Sequence, residues 1–182
     1  PLYNEEENTA PLYSSLKPVL DNLSETYEII FVDDGSNDRT FEKLSGIATN
    51  DAHVKVIRFR RNFGQSAALA AGFEHATGEI VVSMDGDLQN SPEDIPRLLD
   101  KLDEGYDVVC GWRRKRRDPL ITKKVPSRIF NWLALKISGV KIHDFGCTLR
   151  AYKKGVVKSL SIYGEMHRYI PAQAAWNGYI IG

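Results

Sequence analysis

The chain is poor in the residues that staple or anchor a protein. It has two cysteines in 182 residues, Cys110 and Cys147. Their separation matches no metal or redox spacing, and a reduced, cytosolic setting is expected. No apolar run reaches the ~18 residues a spanning helix needs, and no signal peptide is visible. There is no net charge, no internal repeat and no low-complexity tract. Neither G-x-G-x-x-G nor G-x-x-x-x-G-K-[ST] occurs, which removes a Rossmann dinucleotide loop and a P-loop. The initial methionine is missing too; the chain opens on Pro1 and reads as a piece of something longer. What remains is an ordinary composition, 42% hydrophobic and 26% charged, which speaks against disorder and against fibres. At this length one domain with a proper core is expected.

The charge that sums to zero is unevenly spread. Residues 113–128, RRKRRDPLITKKVPSR, hold eight basic residues against one acid, a net +7, so the rest of the chain carries −7. A basic loop on an acidic body points to an anionic partner. Along the chain, short apolar runs alternate with helical patterns. YEIIFV (27–32), HVKVIRF (53–59), EIVVSM (79–84) and DVVCGW (107–112) read as strands. Leu12, Leu16, Val19, Leu20 and Leu23 share one helical face, with Pro18 expected to kink or shift that helix. Residues 38–49 and 65–76 read as helices, as does NSPEDIPRLLDKLDEG, with Ser91 as N-cap and Pro92 in its first turn. This alternation predicts an α/β fold, a mostly parallel sheet with right-handed crossovers. After residue 112 the rhythm breaks into a polar loop, a helix at 126–138, a mixed stretch through Tyr152 and a helix near 165–177.

In an open parallel sheet, ligands collect at the carboxyl ends of strands. Two acidic clusters fall there: VDDGS after the first strand and MDGDLQN after the third. Residues i and i+2 of an extended chain point the same way, so Asp85 and Asp87 can face one point, with Gly86 admitting a ligand to the backbone. Oxygen-only donors suit Mg²⁺ or Mn²⁺ rather than zinc. An EF-hand is excluded, because counting from Asp85 the sixth residue is Asn90 and the twelfth Pro96, where Gly and Glu are needed. For Asp-x-Asp by itself a solvated turn is the commoner outcome; its place at a strand end, with a second acid pair at another, favours a site.

Five ordered stretches carry a resemblance: PLYNEEEN, EIIFVDDGSNDRT, RNFGQSAALAAGFEHATGE, MDGDLQ and DFGCTLRAY. Together, over essentially all 182 residues, they resemble the family 2 glycosyltransferases, nearest to the polyprenyl-phosphate branch of dolichyl-phosphate mannosyltransferases and undecaprenyl-phosphate glycosyltransferases. The resemblance implies a GT-A fold and inverting transfer of a sugar from a UDP- or GDP-linked donor to a polyprenyl phosphate at the cytoplasmic face of a membrane. It implies that Pro1, Tyr3, Glu5, Val32 and Asp34 line the nucleotide. It makes Asp85, Asp87 and Gln89 the metal ligands, beside Gly86, with Arg113 and Arg128 on phosphate. Asp144 and Arg150 fall near the acceptor, and GEMHRYIP (164–171) looks like a segment of the undecaprenyl branch. Two parts of the family pattern are missing: a strand before PLYNE and a basic, often membrane-embedded continuation past Gly182.

The residues themselves leave alternatives open. A phosphate acceptor is already anionic, so Asp144 is as apt an orienting group as a base. The basic loop suits anionic lipid headgroups, each basic residue adding ~1 kcal/mol near such a surface; a solvated face is the plainer reading, and no nucleic-acid module accompanies it. Trp112 and Trp132 flank the loop and are candidates for an interface, with burial the expected fate of Trp132. Of the four histidines only His167 invites a test. A non-lipid acceptor, a non-catalytic nucleotide-sugar-binding module, and a receiver-like domain using Asp33, Asp34 and Asp85 around Mg²⁺ are the rivals; a homo-oligomer is left open.

Overall fold

In the computed structural model, residues 1–112 and 146–182 are described. The chain runs α1 (Thr9–Asp21), β1 (Ile29–Asp33), α2 (Thr40–Asn50), β2 (Val54–Arg58), α3 (Gln65–His75), β3 (Ile80–Ser83), α4 (Ile95–Asp103), β4 (Val108–Cys110), β5 (Arg150–Lys153), α5 (Lys154–Ser159) and α6 (Ile170–Trp176). The helix expected at 126–138 lies outside the described residues.

β1 and β2 pair in parallel, Ile29 opposite Val54 through Asp33 opposite Arg58. The parallel expectation holds there but not for every neighbour. β5 lies between β3 and β4 and runs antiparallel to both. β3 and β4 therefore point the same way, as the alternation requires, and β5 is the reversed strand that separates them. Leu2 pairs in parallel beside the end of β1: its N–H donates to the Val32 carbonyl, and its own carbonyl accepts from Asp34 N, both at 2.8 Å.

Apolar residues fill two clusters. One gathers Leu12, Leu16, Phe31, Leu44, Leu98 and Leu102 from α1, β1, α2 and α4. The other gathers Phe73, Val108, Tyr152, Val156 and Ile170 from α3, the β4–β5 pair, α5 and α6, with Phe73 and Tyr152 edge to face at 5.3 Å. Pro18 neither breaks nor shifts α1, which runs on to Asp21. The carbonyl that its missing N–H would have served belongs to Ser14, on the exposed side where water can bond it. Ser91 does not cap a helix either. Its hydroxyl bonds the Glu93 carboxylate, and Pro92–Asp94 form a 3₁₀ turn that leads into α4.

Glu28 ties β2 and the start of β3 to the foot of β1. It accepts from Lys55 Nζ at 2.7 Å, and from Thr77 Oγ1 and N at 2.6 and 2.7 Å. Burial opposes its ionisation, but these donors outweigh burial and hold its pKa at about 2, from an ordinary 4.5. A carboxylate with a depressed folded pKa stabilises fully above its unfolded pKa and loses that contribution as pH falls towards the folded one. Glu28→Gln should therefore cost about 1–2 kcal/mol at pH 7. In thermal melts the gap to the parent should close between pH 4.5 and 2; a gap independent of pH would remove this account of Glu28.

Candidate active site

Two loops interlock at the carboxyl end of β1. In the PLYNEEEN segment, Asn4 N donates to Ser36 Oγ at 2.9 Å, Glu5 N to Thr40 Oγ1 at 2.8 Å and Glu6 N to Asp38 Oδ2 at 3.1 Å. The DDGSNDRT segment answers: Asn37 N donates to Asn4 Oδ1 at 2.8 Å and Arg39 N to Glu6 Oε2 at 3.1 Å. Asn and Asp are frequent here because their short side chains can substitute for backbone partners in turns. Beside these loops opens a polar cleft of about 490 Å³, walled by Tyr3, Ser36, Asn37, Arg58, Arg60 and Asn62. It lies where β1 and β2 end, the edge at which parallel sheets receive ligands.

The expected nucleotide residues separate within this frame. Tyr3 is exposed on the cleft wall; Glu5 is not among the lining residues and accepts from Asn8 Nδ2 at 2.5 Å. Val32 lies beneath: its side chain is buried and faces α3, 3.7 Å from where a Cβ on Gly72 would stand. Its carbonyl is taken by Leu2. A strand centre sends alternate side chains into the core, and an apolar one goes there. Asp34 is 4% exposed and closes the 59–64 loop instead of standing open in the cleft. Its Oδ1 accepts from Phe63 N at 2.7 Å and its Oδ2 from Gly64 N at 2.9 Å. Asp33, next to it in the chain, is fully buried. Its Oδ1 accepts from Ser36 N at 3.2 Å, while Oδ2 has Arg58 Nε, from the cleft wall, at 3.7 Å.

The third expected group, MDGDLQN, forms the loop that directly follows β3. Asp85 Oδ1 accepts from Gln65 Nε2 at 2.6 Å, at the first turn of α3. Asp87 and Gln89 are exposed, and Asp87 Oδ1 accepts from Gln89 N at 3.1 Å. Leu88 between them takes φ 59°, a left-handed conformation costly for a branched side chain. Gly86 does not expose backbone to a ligand. A Cβ there would lie 2.7 Å from Leu2 Cγ, so its smallness serves the packing of this loop on the PLYNE segment. The same packing sets Asp85 beside the segment that borders the cleft. Asn90 fastens the far end, donating to Thr148 Oγ1 at 3.1 Å and accepting from Cys147 Sγ at 3.7 Å.

Among the described residues no three His, Cys, Asp or Glu side chains form a protein-only metal cluster. The donor set here is two carboxylates and an amide oxygen. It fits a hard cation that completes its shell with water and phosphate oxygens.

Arg150 is 3% exposed and donates through Nη1 to the His167 carbonyl at 3.0 Å. His167 Nδ1 lies 2.9 Å from Ser66 Oγ, and its backbone N–H donates to the same oxygen at 3.1 Å. Burial first, and the Arg168 and Arg150 cations, hold its pKa below the ordinary histidine range against the pull of Glu165 and Asp85. The GEMHRYIP segment is thus locked to the first turn of α3. Arg113, Arg128, Asp144 and Trp132 lie outside the described residues, as does the basic loop.

The acidic loops that follow β1 and β3 belong to two sheets and meet where Gly86 packs on Leu2, in a layered α/β domain of the GT-A fold. Solved structures bear this out at the level of the fold. A mannosyltransferase from Pyrobaculum calidifontis in complex with GDP-Man and Mn²⁺ superposes with a TM-score of 0.72 at 21% identity, covering 100% of this chain and 52% of that one. Glucosyl-3-phosphoglycerate synthase from Mycobacterium tuberculosis, with Mn²⁺, UDP and glucosyl-3-phosphoglycerate, gives 0.76 at 22% identity, covering 100% and 66%. The model of Glycosyl transferase family 2 matches residues 1–161, and the chain belongs to that family.

Among relatives, dodecaprenyl-phosphate galacturonate synthase of Rhizobium johnstonii is 40% identical over 177 residues, 96% of this chain and 52% of its own length. Undecaprenyl-phosphate 4-deoxy-4-formamido-L-arabinose transferase of Shewanella sediminis is 41% identical over 180 residues, 98% and 54%. The chain spans about half the length of the curated relatives it matches. The receiver-like alternative falls with the family assignment, and the geometry agrees, since Asp34 spends both oxygens on a neighbouring loop.

Proposed function

We propose that this chain is the nucleotide-sugar domain of an enzyme that transfers a sugar, with inversion, to a polyprenyl phosphate. The observation that carries the reading is the Asp85–Gln89 loop, an oxygen-only donor set packed through Gly86 and Leu2 against the segment that walls a polar cleft. The nucleoside occupies the cleft against Tyr3, with Ser36, Asn37 and Asn62 supplying polar contacts. Asp85, Asp87 and the Gln89 amide oxygen hold Mg²⁺ or Mn²⁺, which when bound offsets charge on the donor diphosphate.

An acceptor phosphate oxygen attacks the anomeric carbon from the face opposite the diphosphate. The C–O bond to the diphosphate breaks, and the leaving group keeps the electron pair. The nucleophile is an anion at neutral pH, so the chain's task is to place it and to stabilise the departing charge. Arg113 and Arg128 are assigned to phosphate and Asp144 to orienting the acceptor. Arg150 acts by holding His167. The names of the two relatives, both polyprenyl-phosphate enzymes, support this acceptor class. The +7 stretch at 113–128 supports an anionic membrane surface, such as a cytoplasmic leaflet presents. Among the described residues no helix is long and apolar enough to cross a membrane.

The test uses the full-length protein with Mn²⁺, undecaprenyl phosphate and a panel of radiolabelled UDP- and GDP-sugars. Label from one donor should pass into the organic phase as a glycosyl phosphate lipid. Donor binding without transfer across the panel would leave a binding module instead.

A further inference from the structure

We propose that Gln65 is a positioning residue for the cation site, fixing the Asp85 carboxylate so that one oxygen is presented to the metal. This rests on the metal reading given above. The contact is direct, Gln65 Nε2 to Asp85 Oδ1 at 2.6 Å, between residues twenty apart in the chain and on different elements. A donor on Oδ1 stops the carboxylate rotating and assigns Oδ2 to the cation.

Gln65 is itself held from both sides. Just before it, Phe63 and Gly64 donate their backbone N–H groups to the two oxygens of Asp34. Just after it, Ser66 Oγ accepts the His167 backbone N–H and bonds the His167 ring. Gly64 opens the helix at φ 93°, a conformation suited to glycine, so the turn that aims residue 65 is built for it. The first turn of α3 is therefore anchored to the DDGS loop and to the MHRY segment, and Gln65 is the arm between those anchors that reaches the MDGDLQ loop.

The residue type fits the task. An acid is the usual favourite in a first helical turn, yet α3 has none there. An acid at 65 would repel Asp85, and a lysine would donate but cancel the negative charge that a divalent ion needs. A glutamine donates a hydrogen bond and leaves the charge intact. Groups behind metal ligands commonly change metal affinity 10- to 100-fold when removed.

The experiment measures Mn²⁺ binding by the full chain, with Mn²⁺ alone, from the electron paramagnetic resonance signal of unbound Mn²⁺. Gln65→Met keeps length and shape but cannot donate; Gln65→Ala is the second variant. Each should weaken Mn²⁺ binding about 10-fold or more with melting within about 2 °C of the parent. In an Asp85→Asn background neither should weaken it further, because the carboxylate they position is gone. A purely structural role predicts an equal loss in both backgrounds, and that result would overturn the proposal. So would parental Mn²⁺ affinity in Gln65→Met while Asp85→Asn is impaired, which leaves the metal reading standing. Parental affinity in Asp85→Asn itself would remove the metal reading and this inference together.

Discussion

Gly35→Ala should cost about 3–5 kcal/mol of stability, the largest loss expected of any single methyl added at the site. Two terms combine. Gly35 sits at φ 69°, where an L side chain costs about 1–2 kcal/mol. A Cβ there would also stand 2.3 Å from the carbonyl carbon of Arg61 and 2.6 Å from its Cα. Those are backbone atoms and no rotamer change relieves the clash, so the DDGS loop and the 59–64 loop must part. Asp34 bridges the same two loops, hence its bonds to Phe63 and Gly64 would stretch with them. Urea unfolding measures the loss, and a fall below about 1 kcal/mol would show that the loops are more yielding than this contact requires.

Asp87→Asn should do the opposite, leaving stability almost untouched and removing function. Asp87 is exposed, and among the described residues its side chain has one hydrogen bond, from Gln89 N within the same loop. An asparagine oxygen can keep that bond. What is lost is one of the two anionic charges assigned to the cation. Mn²⁺-supported binding of the nucleoside diphosphate should weaken about 100-fold, roughly 2.7 kcal/mol. Binding of the nucleoside alone should change less than threefold, because the cleft by Tyr3 is not disturbed. Calorimetry with and without Mn²⁺ separates the two. Equal Mn²⁺-supported affinity in variant and parent would mean that Asp87 is a turn residue and nothing more.

How much of this was legible in the chain differs from element to element. The apolar runs at 27–32, 53–59, 79–84 and 107–112 announced β1 to β4, because a run of β-branched residues between turn formers has few other fates. β5 was not legible. Arg-Ala-Tyr-Lys has neither an apolar run nor a clean alternation; Arg150 is buried by its bond to the His167 carbonyl, a partner the chain supplies 17 residues later. That Asp85, Asp87 and Gln89 share one loop was legible because they are adjacent in the chain. The task of Asp34 was hidden, since its donors are backbone N–H groups 29 and 30 residues away and any residue type carries those. Gly86 and Gln65 were hidden for a similar reason: what each touches, Leu2 and Asp85, is settled by packing between distant segments. His167 is the histidine the sequence marks as most worth testing, and Ser66 ties it to the first turn of the helix that reaches Asp85.

The reversed strand has a consequence for how the chain is made. β3 finds its ladder partner, β5, only when residues 150–153 have been synthesised. From Ser83 that is roughly 70 residues later, or roughly 4 to 14 seconds at ribosomal rates. Through that interval the Ile-Val-Val-Ser edge is unpaired, and β4 waits for the same partner. Closing the three strands is therefore a late, long-range step with a large loop-closure cost. Slow translation or a destabilised β5 would lengthen the exposure of two β-rich edges. A nascent chain arrested before residue 150 should be the species that chaperones hold and that aggregates when they do not.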